Sequence, residues 1–121
     1  ADAITELYDE ALAPSGVTVN QYALLINLSR LGACSVSGLA DAVSLERTTL
    51  VRNLKPLFEK ELIEDVAAPG ARNRRLCLTP RGRAMLLAAQ PLWEAQQARV
   101  EEKLGAHNAR RLTEILAVLM E

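Results

Sequence analysis

SVSGLADAVSLERTTLVRNLKPLFEKELIE (35–64), followed at once by DVAAPGARNRRLCLTPRG (65–82), decides how this chain is read. The first segment predicts two amphipathic helices meeting at a tight turn. The second predicts a strand, a Pro69-Gly70 tip, an arginine-rich return and a second strand. The connection between the strands carries arginines and no acidic residue. A helix sized for the major groove, beside a basic hairpin that reaches the neighbouring groove, is the layout of a DNA-reading element.

Within the first segment, Ser37 is expected to cap a short helix ending near Val43, with Leu39, Ala40 and Val43 inward. Leu45 falls in the turn, where one apolar side chain must lock the two helices together. The next helix is predicted from about Glu46 to Glu61, burying Leu50, Leu54, Leu57 and Phe58. Its opposite face presents Arg47, Thr48, Val51, Arg52 and Lys55, with Thr49 at the border. Long cations and small hydroxyls are the side chains that reach phosphates and base edges. Pro56 removes one backbone hydrogen bond and costs roughly 3 kcal/mol unless a bend relieves it, so a bend is expected beyond the reading half.

Strands are predicted at Ile63–Val66 and Arg75–Leu78, with Thr79-Pro80 opening a long helix to about Leu104. Upstream, Ile4, Leu7, Tyr8 and Leu12 form a helical stripe over 2–12 that Pro14-Ser15-Gly16 ends. Thr18 and Gln21 make a capping-box pattern for a helix burying Tyr22, Leu25, Ile26 and Leu28, and Gly32 stops it. Cys34-Ser35-Val36 is read as extended, long enough for one β-bridge. Asn108 is expected to cap a last helix with Leu112, Ile115, Leu116 and Leu119 inward.

Composition agrees with a mainly α chain of one domain. Half the residues are apolar but only 3% are aromatic, which favours a helical core over a sandwich. No apolar run approaches the ~18 residues of a membrane span, no signal peptide is read, and two cysteines are too few for a disulfide framework. A cytoplasmic protein without membrane contact is expected. Chain continuing upstream of Ala1 is also expected, because the sequence starts without Met and almost directly in helical pattern. The net charge of −1 conceals a local imbalance: five arginines and no acid lie between Gly70 and Arg83. Phosphate affinity follows the local patch rather than the sum.

The helix-turn-helix and wing together resemble the MarR family of bacterial transcription regulators. LADAVSLERTTLVRNLKPL, followed at the right distance by RRLCLTPRG, carries the resemblance, which extends over nearly the whole chain. It implies a winged helix-turn-helix lobe at 18–79 with a two- to three-stranded wing sheet, and dimerisation helices at 1–14 and 80–121, within a single unit of 1–121. It also implies a homodimeric repressor on a pseudo-palindromic double-stranded DNA operator, released by a small molecule or an oxidant. By the same resemblance Thr48, Thr49 and Arg52 contact bases and phosphates, and Arg72, seven residues before Thr79, enters the minor groove. Many members have Asp two residues before that arginine where this chain has Gly70, which leaves Arg74 or Arg75 as substitutes.

Other residues carry two readings each. Tyr22 and Trp93 are core-like, yet are the first candidates for walls of the ligand cleft that the resemblance implies. Cys34 and Cys77 are read either as small buried hydrophobes or as a redox pair on neighbouring β segments, Cys77 with a pKa lowered by arginines if exposed. His107, the only histidine, is read as a capping or surface residue between two helices, and no metal or cofactor is expected. An enzyme is not expected either, because no nucleophile–base set or carboxylate pair is legible. The rival is a winged helix used for protein–protein contact, which predicts an apolar exposed face on the helix at 46–61.

Overall fold

The computed structural model describes residues 3–119, with side chains as far as 115. Its elements are α1 (Ala3–Leu12), a 3-10 turn (Ala13–Ser15), α2 (Val19–Leu31), α3 (Val36–Val43), α4 (Arg47–Glu59), β1 (Ile63–Asp65), β2 (Leu76–Leu78), α5 (Pro80–Leu104) and α6 (Ala106–Leu119). The mainly α, winged helix-turn-helix fold is the one expected.

Local chemistry sets most of the boundaries. The Thr18 hydroxyl accepts from Gln21 N–H while the Gln21 side chain accepts from Thr18 N–H, closing the capping box of α2. Asp9 on α1 adds a carboxylate to the same end, accepting from Val19 N–H at 2.8 Å. Thr79 caps α5 through Gly82 N–H, and Pro80 occupies its first turn. The cap of α3 is Ser35 and not Ser37: the Ser35 hydroxyl accepts from Gly38 N–H at 3.0 Å, and the helix starts at Val36. Asn108 likewise is not the N-cap of the last helix, because it lies inside α6. Gly105 alone separates α5 from α6, its carbonyl accepts from Ala109 N–H, and the Asn108 amide donates back to Leu104 O. His107 therefore lies exposed in the first turn of α6.

The main core gathers Leu25 and Leu28 of α2, Leu39 of α3, Leu50 and Leu57 of α4, and Leu62 and Leu76 at the base of the wing. Each fully buried leucine is worth about 1.5–3 kcal/mol relative to exposure. Leu86 and Ala89 of α5 close this core from the other side. Phe58 departs from expectation and is 37% exposed. Eight residues past Leu50, it lies roughly 80° round the helix from it, at the rim of the apolar stripe. Helix α4 runs unbroken through Pro56.

A second, smaller core joins α1, α5 and α6 through Tyr8, Val100 and Ala109, with Ile4, Trp93 and Leu112 packed on it. Leu7 and Ile115 are left 45% and 49% exposed. The expected Leu116 and Leu119 lie outside the described side chains. No helix of the described residues is long and apolar enough to cross a membrane.

Strands β1 and β2 pair antiparallel in the register Ile63↔Leu78, Glu64↔Cys77, Asp65↔Leu76. Val66 N–H to Arg75 O, at 2.8 Å, extends the ladder toward the tip. The expected bridge is present on the other edge of β2, where Cys34 and Leu76 exchange hydrogen bonds of 2.9 and 2.7 Å.

Candidate nucleic-acid interface

Helix α4 is held by its apolar side and by the turn before it. Leu45 is buried, its N–H donates to Ala40 O at 3.0 Å, and Ser44 takes the left-handed conformation that ends α3. Within 47–55 the exposed side chains are Arg47, Thr48, Val51, Arg52 and Lys55, with Thr49 and Asn53 half-buried and Leu50 and Leu54 buried. Arg47 reaches back to donate to the Ser37 hydroxyl at 3.2 Å, so it braces α4 on α3 as well as facing outward.

The wing is organised by a residue that the sequence reading passed over. Asp65, at the end of β1, accepts from Arg75 N–H and Ala67 N–H, both at 3.0 Å, and its other oxygen pairs with the Arg74 guanidinium at 3.1 Å. These donors hold its carboxyl below the usual carboxylate range: the Arg75 amide first, then the Ala67 amide, with the Arg74 guanidinium adding to them. Arg74 is thus partly neutralised within the protein, while Arg72 and Arg75 carry exposed side chains with no ion pair among the described residues. Gly70 sits at the tip with φ +79°, a conformation that favours glycine, beside an Ala71 N–H to Ala68 O turn. The signal for Asp65 was its place opposite the arginine-rich return of a hairpin.

A second feature lies between the winged part and the terminal helices. A cleft of about 380 Å³ is lined by Tyr8, Tyr22, Ile26, Arg30, Val43 and Trp93, among others. Trp93 stacks on Tyr22, with centroids 5.9 Å apart and planes at 22°, and tilts against Tyr8 at 6.5 Å. Tyr8 donates to the Gln97 side chain. Burial pushes both phenols above their ordinary pKa, helped by Glu101 at Tyr8 and Glu94 at Tyr22, while Arg30 works the other way at Tyr22. Ala42, Val43 and Ser44 belong to the same wall, so the cleft borders the turn that leads into α4.

Cys34 and Cys77 lie on neighbouring β segments, as expected. Cys34 stands opposite Leu76 and shares its face of the sheet, whereas Cys77, one residue on, points to the other face with Glu64. Both are free thiols, partly buried. Burial raises the pKa of both thiols, with Cys77 adding to the rise at Cys34, and Glu64 outweighing Arg75 at Cys77. The lowered Cys77 pKa expected from its arginine neighbours is therefore not found.

The family model that matches is that of the MarR family, over residues 17–71. The transcriptional regulator MosR of M. tuberculosis, solved in complex with DNA, is 38% identical, with 96% of this chain and 86% of that one covered and a TM-score of 0.81. The transcriptional repressor CouR superposes in two solved states. Bound to p-coumaroyl-CoA it is 26% identical, over 96% of this chain and 82% of that one, with a TM-score of 0.79. Bound to a 23-mer DNA duplex it is 27% identical, over 98% and 84%, with a TM-score of 0.78. No protein of curated function matches in sequence. A recognition helix held beside a basic wing, and 38% identity to MosR over nearly the full length, place the chain in one family: it belongs to the MarR family of DNA-binding transcription regulators.

Proposed function

We propose that the protein is a homodimeric repressor that binds a pseudo-palindromic operator and leaves it when a small molecule occupies the cleft. The observation that carries the DNA reading is the exposed face of α4, where Arg47, Thr48, Arg52 and Lys55 stand beside a wing bearing Arg72 and Arg75. Thr49, half-buried at the border, and Arg74, paired with Asp65, take smaller parts in the same interface. A protein-docking face would be apolar along its length, and in 47–55 only Val51 is.

The proposed division of labour assigns 18–79 to DNA and 1–14 with 80–121 to the dimer. Exposed Leu7 and Ile115 on helices of the terminal bundle support the second assignment. Tyr22 and Trp93 are proposed as effector-contacting walls, because they line a mostly apolar cleft bordering the α3–α4 turn. That CouR is solved with p-coumaroyl-CoA and, separately, with DNA supports a ligand-released regulator here.

Fluorescence anisotropy with DNA selected by the protein and with random duplex, each at two salt concentrations, tests the reading. Tighter binding to the selected duplex, with a steep salt slope on both, is expected. Equal, salt-independent binding would reject it. Trp93, the only tryptophan, reports ligand entry by its own fluorescence.

A further inference from the structure

Val51 is an anomaly on the face that it occupies. Its side chain is 51% exposed in the N-terminal half of α4, the half of a recognition helix that meets base edges. Its neighbours along the helix face are Thr48, three residues before, and Lys55, four residues after, with Arg52 adjacent in sequence. Leu50, Leu54 and Leu57 already fill the buried side. A branched apolar side chain cannot bond a phosphate, and in water it leaves two methyl groups hydrated. The cations around it hold that patch against DNA, where the apolar feature of the major groove is the C5-methyl of thymine.

We infer that Val51 reads a thymine methyl group, one in each half-site, and so sets specificity beside Arg52. The inference rests on the DNA-binding reading above. The methyl group is the only part of thymine that it needs, since hydrogen bonds to the base edge fall to the polar neighbours.

The test uses the duplex that the protein itself enriches from a random pool. Each thymine is replaced singly by deoxyuridine, which removes the C5-methyl and leaves base pairing intact, and Kd is measured for wild type and Val51→Ala. At one thymine per half-site the wild type should lose about three- to fivefold, the worth of one buried methyl group, and Val51→Ala should lose nothing. Equal losses in both proteins at every position, or no loss in the wild type anywhere, would overturn the inference and leave DNA binding standing. Failure of the pool to yield any preferred duplex would overturn the DNA reading and this inference together.

Discussion

At Gly82 the first turn of α5 passes so close to the end of the α4–β1 connection that a Cβ would lie 1.9 Å from the Leu62 carbonyl oxygen. Backbone rather than a flexible side chain is in the way, so the strain cannot be relieved by a rotamer change. Gly82→Ala should cost about 3 kcal/mol or more, at the upper end of overpacking effects. Urea titration of the two proteins measures it, and a loss under about 1 kcal/mol would mean that α5 can slide away from Leu62. Arg52 poses the opposite case, a residue with no fold to support. Its exposed place one turn beyond Thr48 predicts that Arg52→Ala leaves stability alone and costs about 1–3 kcal/mol of discrimination at one base pair per half-site. Equal weakening on selected and random duplexes would reassign it to a phosphate.

Among the elements, the wing separates what a sequence exposes from what it hides. Its strands, its glycine tip and the Thr79 cap were legible because each rests on a residue type with one strong local preference. The choice of Ser35 over Ser37, and of Gly105 over Asn108, was not: two residues of suitable chemistry lay within one turn, and packing chose between them. Asp65 was hidden for a different reason. Its partners Ala67, Arg74 and Arg75 come from both sides of a hairpin, and only the register brings them to one carboxylate. The register also sets Cys34 and Cys77 on opposite faces of neighbouring β segments, which their positions along the chain could not reveal.

Asp65 makes two further outcomes testable. Arg72→Ala and Arg75→Ala should each lower the slope of log K against log salt by about one, whereas Arg74→Ala should lower it less, because Asp65 already offsets that charge. Three equal slopes would mean that the Asp65–Arg74 pair opens on DNA. Since the folded wing holds the Asp65 carboxyl below its ordinary value, its contribution is complete above the unfolded pKa of ~3.9 and is lost as pH falls through the lower, folded one. Amide exchange at Ala67 and Arg75 should therefore lose protection on acidification in the wild type. In Asp65→Asn the loss should already be present at neutral pH.

For the whole molecule, the decisive quantity is apolar surface that one chain leaves open. Among the described residues, helices α1, α5 and α6 meet around Tyr8, Val100 and Ala109, a core much smaller than the one beneath the recognition helix. Leu7, Leu104 and Ile115 remain between 44% and 49% exposed on those helices. Isolated exposed aliphatic side chains are ordinary on a protein surface, but three on adjoining helices are best accounted for by a symmetric contact with a second copy. The protein should sediment as a dimer at micromolar concentration, and its melting temperature should rise with concentration. Leu7→Asp with Ile115→Asp should yield a folded monomer, because neither side chain belongs to a core. That monomer should retain weak binding to a single half-site and lose the gain from engaging two at once, which a dimer with recognition helices about 34–36 Å apart obtains on one face of B-DNA. A wild-type monomer would remove the dimer from the proposal. A dimeric double variant would instead move the interface to a different face of the molecule, and a half-site as strong as the full site would show that the second lobe adds nothing.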